Sequence, residues 1–518
     1  MVWFLGIVLL FALYTSGLSR NPPGFYVDES ALAYNAYLIA HTGAGEFGPR
    51  FPVYFQFFAN DFAQNVSPIQ VYLLAVLFRF FPPSILLTRI FAAFWVFGAC
   101  LLLGVLARRI SGQRKIGIIV AAIALLLPWL FEVSRLLLEP HAVPMALALF
   151  LLVVYNAQGK EKWDWRDVVM LAATLALMTY CYAVGRVLGP LLALGLLLFA
   201  TSSQRLVGII KTGIAYGLTL VPLLAFNWRH PGALTKRLHE VSYIRLGVPW
   251  TELASQFIKR YLEDQSLIGL LVNGDYHPRH HVPGSGGALF FATFILVLIG
   301  LIIVISHRRC NPWWRFVLYG LVVAIVPGAI SVEPFHELHL IAYPVFLLVL
   351  TVPALEWLLA RDKGKLELVP APSGEVARSS GEGFRLSVSG GLPPRSVRLG
   401  FLSLLLALTA VEAYRFQTVF RREGPRRSFD FDVPYQAAYD VAIRQPARPI
   451  YLEDGKWGPA YIHALWYATV ERRPTSQFVH LAPGAKPPAG KIVISSAETC
   501  QSCKTITHAG VYHVYEAL

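Results

Sequence analysis

The sequence predicts a multi-pass α-helical membrane protein of about eleven transmembrane helices, with a small α/β domain at its C-terminal end. Three observations predict it. Of the 518 residues, 55% are hydrophobic and 15% are charged, against about 25% charged in an average soluble protein. The apolar residues gather in runs that approach the roughly 20 residues a spanning helix needs. The Lys and Arg residues behind the net charge of +14 cluster in short segments between those runs, as the cytoplasmic loops of membrane proteins do. The composition excludes a single soluble enzyme and intrinsic disorder. The placement of the charge speaks against nucleic acid as a partner.

The first apolar run, 2–18, has no basic segment before it and reads as an uncleaved helix rather than a signal peptide. A mixed loop, 20–83, follows; it is rich in Phe, Tyr, Asn and Pro. Within it, residues 29–40 read as an amphipathic helix lying in the membrane interface. Further spans are predicted at 84–107, 116–131, 140–157, 167–183, 187–200 and 206–226. A second long polar loop, 227–287, precedes spans at 288–306, 316–332, 338–360 and 399–416. The basic loops at 108–115, 160–166, 205–211, 308–315 and 361–398 are assigned to the cytoplasm. Both long loops and the C-terminal end then lie on the opposite side.

Residues 361–398 are rich in Gly, Ser, Pro and charge and read as a flexible cytoplasmic linker. After 416, the β-like runs "PIYLED", "KIVISS" and "VYHVYEA" alternate with the helix-like "YQAAYDVAIRQ" and "PAYIHALWYAT". That pattern predicts an extracytoplasmic α/β domain over 417–518. The chain thus divides into a transmembrane domain (1–360), the linker, a last spanning helix (399–416) and this domain. Cys100, Cys181 and Cys310 sit in or beside apolar runs as packing residues. Cys500 and Cys503 form a lone C-x-x-C, without the second pair a zinc finger needs, and read as a local disulfide.

Chemistry concentrates on the long-loop side. Asp28 and Glu29 follow a Pro-Pro-Gly turn just past the first span. They fit a helix N-terminus, which stabilises carboxylates, and equally a general base at the membrane surface. Asp61, in "FFANDFAQNVSP", is a second acidic group or a turn residue. Arg135 lies between Glu132 and Glu139 on a short hairpin, and Arg186 lies among aromatic residues. Each is read either locally, as an ion pair or a snorkelling side chain, or as a planar fork for a phosphate. The segment "LVNGDYHPRHHVPGSGG" brings together Asp275, His277, Arg279, His280 and His281. These residues suit a phosphate, a sugar hydroxyl or a divalent metal, although the spacing fits no standard zinc pattern. "SVEPFHELHLIAYP" adds Glu333, His336, Glu337 and His339, ionisable groups beside a membrane segment. Carboxylates and arginines on one face suit attack by a hydroxyl on a phosphate-activated lipid-linked substrate.

The motifs "GFYVDESALAYNAYLIAHTG", "PWLFEVSRLLLEP", "TYCYAVGRVLGP", "NGDYHPRHHVPGSGG" and "VPGAISVEPFHELHLIAYP" together resemble the GT-C superfamily of membrane glycosyltransferases. The likeness is greatest to the bacterial branch related to protein O-mannosyltransferases and the lipid A aminoarabinose transferase, and it covers about residues 1–360. It implies transfer of a sugar, with inversion, from a polyprenyl-phosphate carrier to a lipid, glycan or protein acceptor. The expected place is the outer face of a bacterial cytoplasmic membrane. It maps the acidic pair onto Asp28 and Glu29, with Asp28 the catalytic carboxylate. Arg135, Arg186 and Arg279 become donor-phosphate ligands; from their own place on that face, Asp61, Asp275, His280, Glu333 and His336 are expected to bind substrate. No cofactor is certain, and a divalent metal stays open. The sequence departs from the pattern in two places: "NVSP" stands where the aminoarabinose branch has Lys before Pro-Pro, and His339 stands where relatives often have Arg. A flippase for a lipid-linked sugar would favour mid-membrane polar groups and internal repeats. A ligase or polymerase using a diphosphate-linked oligosaccharide would share the donor chemistry.

Overall fold

The computed structural model describes residues 2–245, 247–360, 393–456, 458–497 and 503–518. Helix α1 (Val2–Tyr14) is followed by α2 (Val27–Thr42), a two-stranded antiparallel ribbon of β1 (Phe55–Phe57) and β2 (Gln64–Val66), and α3 (Pro68–Phe80). Then come α4 (Ile85–Ser111), α5 (Arg114–Leu126), the short α6 (Pro128–Val133), α7 (Val143–Gln158), α8 (Trp165–Cys181), α9 (Ala183–Gly195), α10 (Ser203–Thr219) and α11 (Val221–Arg229). The second long loop contains α12 (Lys236–Val241) and α13 (Trp250–Glu263). Helices α14 (Phe291–Ile303), α15 (Pro312–Val323), α16 (Val326–Ala329), α17 (Tyr343–Leu359) and α18 (Arg395–Glu423) complete the helical part.

Each predicted span falls on a helix. Among the described residues, six helical segments are long and apolar enough to cross a bilayer: Ile85–Ser111, Glu139–Gln158, Ser203–Arg229, Phe291–Arg308, Pro312–Ala329 and Arg395–Arg426. The predicted spans at 2–18, 116–131, 167–183, 187–200 and 338–360 meet shorter helices, α1 of 13 residues, α5 of 13, α8 of 17, α9 of 13 and α17 of 17. Local chemistry sets several ends. Ser84 Oγ accepts the Leu87 N–H at the start of α4, and Gly112 ends that helix in the left-handed region, where a residue without Cβ is unstrained. Asp164 and Asp167 exchange side-chain-to-backbone bonds at the start of α8. At the centre, α17 is buried over nearly its whole length and packs against α4, α5, α14, α15 and α18.

The last helix starts at Arg395 and reaches Glu423, so it overruns the predicted 399–416 at both ends. Residues 361–392 of the predicted linker lie outside the described residues, as does Cys500 of the predicted disulfide. Beyond α18 come α19 (Val433–Arg444), β3 (Ile450–Glu453), α20 (Tyr461–Val470), β4 (Phe478–His480), β5 (Ile492–Ser495), β6 (Cys503–Ala509) and β7 (Tyr512–Ala517). The strands form one sheet in the order β4-β3-β5-β7-β6, with β3 parallel to β4 and β5 and the rest antiparallel. The three β-like runs and two helix-like runs of the sequence are β3, β5, β7, α19 and α20.

One prediction is corrected. Helix α2 is not an amphipathic helix resting on the interface, because Glu29 through Ala36 are buried without a break. The reason is that α3 covers one side of it and α20 another. A single apolar core runs from Phe25, Leu32 and Phe55 through Leu74 to Tyr439, Ile462 and Trp466. The first long loop and the C-terminal domain therefore share one interior, and this fixes the helix that carries Asp28.

Candidate functional site

A cavity of about 390 Å³ opens where the two long loops meet, within the range of small-ligand sites. Its wall takes Tyr26, Asp28 and Leu32 from the start of α2, and Gln64 to Val66 from the ribbon. Glu139, Tyr182 and Arg186 come from the segments entering α7 and α9. Arg237 comes from α12, and His277, Arg279 and His280 from the segment after α13. Glu333, His336 and His339 close it before α17.

The two adjacent carboxylates separate. Asp28 faces the cavity. Burial raises its pKa above the ordinary carboxylate value, and the charges of Asp432 and Glu29 add to this, while those of Arg279 and Arg237 oppose it. Glu29 lies behind the wall with both oxygens occupied. Arg89 of α4 pairs with Oε2 at 3.2 Å and both side chains are fully buried. The Leu137 N–H donates to Oε1 at 3.0 Å and the Tyr26 N–H to Oε2 at 3.1 Å.

Among the described residues, three arginines reach the cavity. Arg279 lies with its guanidinium 3.7 Å from the centre of the Tyr26 ring and donates Nε–H to the Asp430 carbonyl at 3.2 Å. Its Nη groups have no protein partner among the described residues. Arg186 stacks over Tyr54 at 4.8 Å and donates to the Leu234 carbonyl at 3.3 Å. Arg237 donates to Glu240 at 3.2 Å, and the charge of Asp28 is the largest influence holding its proton against burial. Arg237 was not among the sequence candidates. A signal for it existed, because "LTKRLHEVSYIRLG" puts Lys236, Arg237 and Arg245 in a loop assigned to the side where basic residues are scarce.

Arg135 does not reach the cavity. It is buried, with its guanidinium 3.8 Å from the Phe131 ring centre, and donates to the Tyr14 carbonyl. Asp61 is exposed, and its carbonyl accepts from Lys236 Nζ at 2.8 Å. Asp275 lies one layer behind the wall. Its Oδ2 is 2.9 Å from His280 Nδ1 and accepts the Glu337 N–H at 2.9 Å, while Glu337 Oε1 accepts the Asp275 N–H at 3.1 Å. Burial opposes the ionisation of Asp275, but the bond from His280 and the His280 and His336 charges hold it below its usual value. His280, in turn, is lowered by burial.

The histidines form a cluster over this layer. His336 Nε2 is 3.3 Å from Glu333 Oε2, and His277 Nε2 is 3.5 Å from Glu333 Oε1. The rings of His336 and His339 stack at 4.0 Å. The bond to Glu333 raises the pKa of His277 and lowers that of Glu333. Two overlapping triads, Asp275–His280–His336 and His277–Glu333–His336, bring their ligand atoms within 4.8 Å of one another. Two imidazoles with a carboxylate are a donor set that fits zinc or a similar divalent ion, and the buried Nδ1 of His336 lacks a protein partner among the described residues.

No family model and no curated protein sequence matches the chain. Solved structures do. ArnT from Cupriavidus metallidurans bound to undecaprenyl phosphate superposes with a TM-score of 0.59 at 11% identity, over 99% of this chain and 97% of that one. The same protein in the apo state gives 0.58 at 12%, over the same shares. The archaeal oligosaccharyltransferase AglB from Archaeoglobus fulgidus, in complex with an inhibitory peptide and a dolichol-phosphate, gives 0.52 at 13%, over 95% of this chain and 69% of that one. At these identities the likeness is one of fold. The chain has the GT-C fold, as its motifs led one to expect.

Proposed function

We propose that this chain is a GT-C glycosyltransferase that moves a sugar from a polyprenyl-phosphate carrier to a hydroxyl acceptor, on the outer face of a bacterial cytoplasmic membrane. The observation that carries the reading is the pairing of one carboxylate of raised pKa, Asp28, with Arg186, Arg237 and Arg279 in one cavity. Asp28 takes the proton of the acceptor hydroxyl as its oxygen bonds to the anomeric carbon. The bond from that carbon to the phosphate oxygen breaks, and the phosphate leaves with the electron pair. The arginines stabilise the charge that develops there. Attack opposite the leaving group inverts the anomeric carbon. The ArnT structure that shares the fold holds undecaprenyl phosphate and the AglB structure a dolichol-phosphate, which supports this donor class.

The site also offers a place for the carrier's chain. A groove of about 430 Å³, lined by Tyr243, Ile244, Leu253, Ala254, Phe257, Ile258 and Ile330, is almost wholly apolar. Ile330 lines both this groove and the cavity. A lipid phosphate in the cavity thus has an apolar exit beside it. If a divalent ion binds, Asp275, His280, His277, Glu333 and His336 would hold it, and it would supply Lewis-acid stabilisation of negative charge.

Mass spectrometry of lipids that co-purify with wild type and with Asp28→Asn tests the reading. The expected result is a glycosylated polyprenyl phosphate enriched in the variant, with the mass of the sugar read directly. Equal amounts in both proteins would count against Asp28 as the base. Absence from both, with added undecaprenyl phosphate also failing to bind, would remove the donor assignment.

A further inference from the structure

Among the described residues, none beyond His339 lines the cavity, yet the C-terminal domain is bonded to both segments that supply its opposing charges. The contact is made by 427–432, which leads from α18 into α19. Arg427 donates to the Pro278 carbonyl at 2.6 Å, next to Arg279, and the Asp430 carbonyl takes the Nε–H of Arg279. The Phe431 carbonyl accepts the Phe25 N–H at 3.0 Å. Gly24 permits that approach: its φ is +57°, and any Cβ there would strike the Phe431 carbonyl.

Asp432 is the centre of this contact. It occupies the cap position of α19 with φ +52° and makes no side-chain bond to its own helix. An Asp at a cap ordinarily accepts from the helix it precedes. Here Oδ2 accepts the N–H of Val27 instead, at 3.1 Å, in the first turn of α2. Oδ1 accepts from Tyr512 Oη–H at 2.8 Å. His463 Nε2 lies 3.4 Å from Oδ2, and its Nδ1 is hydrogen-bonded to Ser30 Oγ at 2.9 Å. Val27 and Ser30 bracket Asp28 and Glu29, so the domain grips the turn on both sides of the cavity carboxylate.

We propose that Asp432 is a positioning residue for Asp28, and that the C-terminal domain acts in the transfer by holding this turn rather than by lining the cavity. The proposal rests on the reading of Asp28 as the base. The pKa of Asp432 lies below the ordinary carboxylate value: burial opposes this, but His463, the Tyr512 hydroxyl and Arg279 lower it. The titratable and charged groups that face Asp28 are Arg237 from α12, Arg279 from the segment after α13, Glu139 before α7, Tyr182 before α9, Tyr26 and Glu29 at the start of α2, and Asp432. Of these, Asp432 is the one the C-terminal domain controls. Its negative charge favours the protonated form of Asp28.

The test uses the full chain in lipid nanodiscs, with Asp432→Asn, Tyr512→Phe and Asp28→Asn. The donor carries the sugar found by the co-purification experiment, and undecaprenyl phosphate serves as the binding probe. Asp432→Asn keeps an acceptor oxygen and loses the charge. The expected result is a kcat lower by about tenfold or more, as misplacement of a reacting group produces, with the affinity for undecaprenyl phosphate little changed. The acid limb of kcat/KM also moves to lower pH, because Asp28 has lost a negative neighbour. A role in stability alone would lower the melting temperature without moving that limb, and such a result overturns the proposal. Wild-type kcat and an unmoved limb in folded Asp432→Asn overturn it too. Should that variant fail to fold, Tyr512→Phe, which removes one donor to Asp432, decides: a lower kcat at constant KM supports the proposal and an unchanged kcat ends it. Full activity of Asp28→Asn would instead remove the base assignment, so the two failures are distinguishable.

Discussion

Replacing Arg89 separates the roles of Asp28 and Glu29. The Arg89 guanidinium donates to both oxygens of Glu29, Nη2 to Oε2 at 3.2 Å and Nε to Oε1 at 3.4 Å. It also holds the carbonyls of Pro22 at 2.6 Å and Gly24 at 2.9 Å. Neither side chain of the pair reaches water. Arg89→Met keeps the apolar stem and strands a buried carboxylate, whose remaining donors are the N–H groups of Tyr26 and Leu137. Removing one partner of a buried pair costs about 3–5 kcal/mol. The freed carbonyls of Pro22 and Gly24 favour the upper end of that range. At about 2–4 °C per kcal/mol for a large domain, the upper end of that range lowers the melting temperature by roughly 10–20 °C. Adding Glu29→Gln removes the stranded charge, so the double variant recovers about 1–3 kcal/mol, the coupling expected of groups in one network. Thermal unfolding in detergent, followed by tryptophan fluorescence, reads these shifts. Two results refute the reasoning. One is Arg89→Met melting within a degree of wild type. The other is Glu29→Gln melting normally yet losing transfer, which would give Glu29 a chemical role.

Other predictions follow from the cavity. Asp28→Asn lowers kcat by a factor on the order of 10²–10⁴, the range of a lost general base, while undecaprenyl phosphate still binds by titration; residual transfer near wild type contradicts this. Because burial raises the Asp28 pKa and the base must be ionised, activity falls as pH drops through a value above the ordinary Asp value of about 3.9. A pH profile flat down to that value refutes the assignment. Arg237→Ala and Arg279→Ala each remove charged hydrogen bonds worth about 1.5–3 kcal/mol to the phosphate, or on the order of ten- to a hundredfold in Kd. Binding unchanged in both would place the phosphate elsewhere. Protein purified without chelator carries zinc or a similar ion that His336→Ala loses; atomic emission finding none in wild type removes the metal reading.

Much of the fold was legible because composition and charge placement report which segments are apolar and which loops share a side. Depth and rotation are not written that way. Residues 29–40 read as an amphipathic helix, yet Glu29 is paired with Arg89 and Asn35 bonds the Ala31 carbonyl and the Glu46 N–H. Its partner α20 lies more than 400 residues away, and nothing in either segment announces the other. The same limit governs the site. Arg135 and Arg186 stand in similar hairpins of the sequence, but Phe131 and Tyr14 box the first in while the second opens onto the cavity. Arg237 sits in a six-residue helix with no motif of its own, and its signal was the basic cluster on the side where basic residues are scarce.

The acidic pair shows why adjacency misleads. In an α-helix, successive side chains point about 100° apart, and neighbours in sequence do not face one another. Two carboxylates side by side at the start of α2 therefore cannot both address one ligand. One of them turns to the cavity and the other turns to α4, where Arg89 awaits it. The buried pair fixes the rotation of α2, and that rotation leaves Asp28 facing the arginines. Asp432 then secures the same turn from the opposite side, through Val27 and, by way of His463, through Ser30. The geometry of one cavity carboxylate thus depends on an ion pair within the membrane domain and on a capping residue about 400 positions later. A substitution at Asp432 changes catalysis without touching a substrate, whereas one at Arg89 is read first as lost stability. This is why Arg89→Met must be judged by stability and Asp432→Asn by its pH profile.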